Sequence, residues 1–151
     1  MSFTTSNGSR GARQPQGRLL RMMNGVISRR IRKGGKLMGG TEGLVLTTIG
    51  RKSGERRSTP LVWFPGANGS WLIVASAAGA PRNPAWYYNI AAHPDRVEIE
   101  IGGRKIPVTA VQLHGAERED AWRAITSAAE RFTKYQEQTD RELPIIRLTA
   151  R

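Results

Sequence analysis

The sequence predicts a mainly β member of the α+β class: a small barrel or half-barrel with helices at its periphery. Three observations predict it. Strand-like segments outnumber helical ones, short turns built on glycine and asparagine join them, and the regular strand–helix alternation of a parallel sheet is absent. Such tight turns favour antiparallel pairing. At 151 residues the chain is one domain with room for a proper core.

Residues 1–16 are polar and rich in Gly, Ser and Arg, and are expected to form a disordered basic tail. Over 17–38, Leu19, Leu20, Met22, Met23, Val26, Ile27 and Ile31 recur at intervals of three and four, which predicts a basic amphipathic helix. That helix either packs on the body with a solvated basic face or lies on an anionic membrane surface. The pairs Gly34-Gly35 and Gly39-Gly40 end it, and 39–151 forms the folded domain. Gly43 to Ile49 reads as a buried strand and Ser58 to Phe64 as a second. The stretch GANG, 66–69, then turns the chain into a third strand, SWLIVASA. A short helix follows, with Asn83 as N-cap, Pro84 at its first position and Pro94 as its stop. RVEIEI and RKIPVTAVQL flank Gly102-Gly103 as a further hairpin. GAEREDAWRAITSAAERF predicts one helix with Trp122, Ile125 and Ala129 on one face. PIIRLT closes the chain as a last strand.

The net charge of +12 is not spread evenly. Residues 1–41 carry nine basic side chains and no acid, while 42–151 carry fifteen against twelve. Within that second part, Arg51, Lys52, Arg56 and Arg57 against Glu55 supply the whole excess. The protein thus has a basic arm and one basic turn. The arm alone leaves open a nucleic-acid-binding module, whose aromatics should then be spread along a groove. There is no cysteine, no apolar run of membrane-spanning length and no secretory signal, which fits a cytoplasmic protein.

The chemistry of the side chains is sparse. No phosphate-binding G-x-x-x-x-G-K-[ST] loop and no G-x-G-x-x-G fingerprint occur. His93 and His114 stand at helix ends without ligand-spaced partners, so no metal site is expected. Without an evident nucleophile, any catalysis would be carried by a cofactor. Two features suit a ring-plus-phosphate ligand. The turn GRKSGERR gathers cations, a hydroxyl and flexible backbone that can hold an anion, and NPAWYYN places three aromatics at the start of a helix.

Three long stretches, LVLTTIGRKSGERRSTPLVWF, LIVASAAGAPRNPAWYYNIAAHPDRVEIEIGGR and YQEQTDRELPII, closely resemble the deazaflavin-dependent nitroreductase family over about 39–148. The resemblance implies a split β-barrel of the flavin-reductase, FMN-binding-like type. It implies coenzyme F420, a deazaflavin with a phosphodiester and an oligoglutamate tail, in preference to FMN. It also implies hydride transfer to a small electrophile such as a quinone, an enone or a nitroaromatic. A non-catalytic deazaflavin carrier is the alternative within the same family. By resemblance, Arg51, Lys52, Ser53 and Arg57 hold the phosphate and tail. Ser58, Thr59, Pro60, Leu61 and Val62 run beside the ring and linker, and Val74, Ala75, Ser76 and Ala77 line the other side. Ala85, Trp86, Tyr87, Tyr88 and Asn89 close over the cofactor. Phe132 and Tyr135 face the substrate, with Tyr135 as the candidate proton donor. The better-known members have Lys where this chain has Ala77 and Tyr where it has Phe132. Split barrels of this type often form homodimers.

Overall fold

The structure, a computed structural model, describes residues 3–11, 25–27 and 43–151. Of the helix expected over 17–38, residues 25–27 are helical; the rest lies outside the described residues. The strands are β1 (Gly43–Ile49), β2 (Arg56–Val62), β3 (Phe64–Pro65), β4 (Trp71–Val74), β5 (Val97–Ile101), β6 (Arg104–Gln112) and β7 (Ile145–Ala150). The helices are α1 (Ala85–Ala92), α2 (Gly115–Ala128) and α3 (Arg131–Gln138).

All seven strands form one antiparallel sheet in the order β2-β1-β5-β6-β7-β4-β3. Strand β2, at one end of this order, also packs on β4 near the other end, so the sheet curls into a half-barrel. This is the split barrel expected from the sequence.

Period-two alternation divides the apolar side chains between two cores, one on each face of the sheet. Leu44 and Leu46 of β1, Ile73 of β4, Val97 and Ile99 of β5, and Ile146 and Leu148 of β7 point into the first, which α1 covers with Trp86, Tyr87 and Ile90. Leu72 and Val74 of β4 and Ile145 of β7 point the other way, under Ile125 of α2 and Phe132 of α3. Ile73, Ile125 and Ile146 are fully buried, and truncating any one to Ala costs about 2–5 kcal/mol.

The strand expected over 58–64 divides at Trp63 into β2 and β3, the strand expected over 70–77 ends at Val74, and three further elements differ from expectation. The helix expected over 115–132 breaks at Ala129, and a separate helix α3 runs from Arg131 to Gln138. On both sides of the break the second core is kept, with Ile125, Ala129 and Phe132 all buried in it. Helix α1 begins one residue late, with Pro84 in the N-cap position, because the Asn83 side chain is engaged elsewhere. Finally, residues 3–11 are not a free tail. The Thr5 N–H donates to Tyr87 Oη at 3.1 Å, the Gly8 N–H to the Pro81 carbonyl at 2.7 Å, and the Arg10 N–H to Asp140 at 3.0 Å. Short polar side chains lower apolar content, yet they also supply specific partners for a polar ledge, and composition alone cannot separate the two roles.

Candidate cofactor site

The basic turn joins β1 to β2. Its backbone closes through Gly50 N–H to the Glu55 carbonyl at 2.7 Å and Gly54 N–H to the Gly50 carbonyl at 2.8 Å. Gly54 adopts φ +72°, a conformation that side-chain-bearing residues avoid. Helix α1 fixes the turn from below. Asn89 accepts the Arg51 N–H at 3.1 Å and donates to Thr48 Oγ1 at 3.1 Å, while the Arg51 guanidinium sits 4.8 Å from the centre of the Tyr88 ring.

Register sorts the four cations. Arg56 pairs with Ile49 and Arg57 with Thr48 across the β1–β2 ladder, so their side chains leave opposite faces. Arg56 is tied to Glu98 at 2.6 Å, and Arg57 makes a looser exposed pair with Glu55 at 3.3 Å. Arg51 and Lys52 have no carboxylate partner among the described residues. These two cations are free of ion pairs there, Arg51 resting on the Tyr88 ring, and Arg57 is easily released, since exposed ion pairs contribute little.

The remaining expected residues divide in the same way. Thr59 and Leu61 follow Arg57 onto the face of α1, while Ser58, Pro60 and Val62 point to the other. Ser58 Oγ lies 3.0 Å from Thr47 Oγ1. Val62, Trp122 and Tyr135 are partly buried, each packed against the second core that holds Val74 and Phe132. Phe132 itself is buried, with Tyr135 edge-on to it at 5.5 Å. Ala75 is buried in the first core, and Ser76 and Ala77 lie in the turn that follows β4. Trp86 and Tyr87 are core residues, so Pro84, Ala85 and Tyr88 are left as the accessible part of NPAWYYN. The structure thus collects the basic turn, Arg57, Tyr88 and Asn89 at one end of β2. At the other end it collects Val62 and Tyr135, with Phe132 and Trp122 behind them.

Helix α3 approaches the turn after β4 closely. A Cβ on Gly79, at φ +82°, would lie 2.8 Å from both the Tyr135 carbonyl and Gln138 Oε1. Ala77 and Ala78 before it also have positive φ, 46° and 50°. Arg141, which the sequence reading passed over, holds this turn from inside. A separate groove of about 600 Å³ lies where residues 4–9 cross His114, Asp140, Arg141 and Glu142, and none of the expected cofactor residues lines it.

A family model described as F420H(2)-dependent quinone reductase matches residues 19–150. The chain belongs to the F420H(2)-dependent quinone reductase family. An F420H(2)-dependent quinone reductase of Mycobacterium tuberculosis is 39% identical over 123 residues, covering 80% of this chain and 81% of the relative. Among solved structures, an F420-H2 dependent reductase, FDR-A, is 37% identical with a TM-score of 0.63, covering 71% of this chain and 93% of that one. A protein solved as a domain-swapped dimer is 31% identical with a TM-score of 0.65, covering 87% and 96%. As a member of the family, this protein is an F420-dependent oxidoreductase with a split-barrel fold. The resemblance stated from the motifs holds, and nothing supports the nucleic-acid reading of the basic arm.

The residues present fit that cofactor. A ligand with a flat ring at one end and a phosphate-bearing acidic tail at the other needs separate apolar and cationic ends. Strand β2 offers both, about 20 Å apart, since its seven residues span six steps of about 3.3 Å.

Proposed function

We propose that this chain holds reduced coenzyme F420 along β2 and presents it to a quinone at the Val62–Tyr135 end. One observation carries the reading. A half-exposed terminal strand runs from Arg51 and Lys52, which have no carboxylate partner among the described residues, to the second core, against which Val62 and Tyr135 both pack. When bound, the reduced deazaflavin supplies a hydride. Arg51, Lys52 and Arg57 bind the phosphate and tail by charge-assisted hydrogen bonds, with Ser53 adding a hydroxyl. Val62, Phe132 and Trp122 exclude water from the ring end, and the turn 75–77 sets its depth. Tyr135 Oη holds the proton that the reduced quinone oxygen takes up, which balances hydride plus proton against hydroquinone.

Enones and nitroaromatics are weaker substrates on this reading, because Phe132 brings no hydroxyl to the patch. A homodimer, and an anionic membrane surface contacted through residues 17–38, are the partners we propose beyond the substrate. Titrating purified protein into coenzyme F420 and following its fluorescence tests the reading; turnover with menadione then separates a reductase from a carrier. Absence of binding at micromolar concentrations refutes it. Flotation with anionic liposomes, with and without the first 38 residues, tests the membrane contact.

A further inference from the structure

Arg141 is 2% exposed, yet every N–H of its guanidinium is used. Nη1 donates to the Ala75 carbonyl at 2.8 Å and to Asn83 Oδ1 at 2.7 Å. Nη2 donates to the carbonyls of Ser76 at 2.9 Å and Ala80 at 3.0 Å, and Nε reaches Ala80 at 3.3 Å. All these partners are neutral. The two flanking acids turn away: Asp140 binds Ser9 and Arg10, and Glu142 lies 3.4 Å from Arg118 Nε. A buried cation without a counter-ion is costly, and an apolar residue would fill the space more cheaply.

What an apolar residue cannot do is fix four oxygens relative to one another, which a planar guanidinium does. Those oxygens belong to the end of β4, to both sides of the turn 77–79, and to the residue before Pro84 and α1. The turn runs through three successive positive-φ residues, two of them alanines, and such backbone persists only where its surroundings enforce it. Asn83 extends the link, since its Nδ2 reaches Tyr88 Oη at 3.3 Å and the Tyr88 ring lies under Arg51.

We propose that Arg141 is a positioning residue for hydride transfer, setting the turn that lines the ring end of the site against the helix that anchors its anionic end. The inference rests on the function proposed above and goes beyond it by assigning reaction geometry to a side chain that touches neither cofactor nor substrate.

The experiment compares wild-type protein, Arg141→Lys and Asn83→Ala. Circular dichroism reports folding, fluorescence titration gives F420 affinity, and stopped-flow mixing with menadione gives the oxidation rate of pre-bound reduced cofactor. A lysine keeps the charge but cannot reach all four acceptors. Arg141→Lys should bind F420 within about fivefold of wild type through the basic turn, while its rate per bound cofactor falls about tenfold or more. Asn83→Ala should lower the same rate about threefold and serves as the test if Arg141→Lys does not fold. A merely structural role would lower the melting temperature and leave the rate per bound cofactor unchanged. That result in a folded variant overturns the proposal. Failure of the wild-type protein to bind F420 overturns the functional reading instead, and this inference with it.

Discussion

The side-chain amide of Asn89 accepts the backbone N–H of Arg51 at 3.1 Å while donating to the Thr48 hydroxyl. One residue of α1 thereby holds the first residue of the basic turn to the end of β1. The turn carries its charges on a fixed frame, so less entropy is lost when an anion binds.

Asn89→Ala should therefore act twice. Thr48 is buried, and leaving its hydroxyl and the turn amide without a partner costs about 1–3 kcal/mol in urea unfolding. F420 affinity should fall about tenfold because the turn is loosened. An unchanged affinity in a destabilised variant would separate the two roles and remove Asn89 from the site.

The turn after β4 gives an opposed pair of substitutions. Ala78 is exposed at φ 50°, so Ala78→Gly relieves strain and should stabilise the fold by about 0.5–1 kcal/mol. Gly79→Ala adds a Cβ 2.8 Å from a backbone oxygen of α3 at a strained φ, and should cost about 2 kcal/mol or more. Thermal melts of the two variants check both signs.

The N-terminal strap should detach in acid. The Ser9 hydroxyl first, and then the Arg10 and Ser9 amides, hold the Asp140 carboxyl down to a pKa of about 2, from an ordinary 3.8. A depressed carboxylate pKa contributes stability above the unfolded value, and that contribution is lost as pH falls from about 4 towards 2. The protection of the Ser9 and Arg10 amides, measured as hydrogen exchange relative to the unfolded-chain rate at each pH, should fall over this window. In Asp140→Asn the protection should be weak at neutral pH and nearly independent of pH.

Tyr135 offers a kinetic test. Tyr135→Phe keeps the apolar wall beside Val62 and removes the hydroxyl. It should leave F420 affinity unchanged and lower kcat with menadione about tenfold or more. Equal kcat would assign the proton to solvent and reduce Tyr135 to a wall.

How much of this was legible in the sequence depended on where the cause lay. The continuous buried run GLVLTTI, the alternation in VEIEI, and the turns at Gly54 and Gly102-Gly103 encode their strands locally, so these strands could be read directly. The crowding of Arg51, Lys52, Arg56 and Arg57 was legible as well. Their division was not, because it follows from register: Arg56 reaches Glu98 on β5, forty-two residues away. The break at Ala129 was hidden because the pattern runs through it: Ile125, Ala129 and Phe132 keep the spacing of one helix face across it. Arg141 was hidden for a similar reason. Flanked by two acids, it reads as a surface charge, and only the fold shows the acids pointing out and the guanidinium in.

The central claim is that the cationic end of β2 holds the acidic end of F420. Fluorescence titration of F420 against wild-type protein and Arg51→Ala/Lys52→Ala, each at low and high salt, tests it most directly. The account predicts micromolar or tighter binding by wild type, weakened about a hundredfold by the double substitution at low salt, with the gap shrinking as salt screens the charges. Equal affinities of the two proteins at every salt concentration would contradict it.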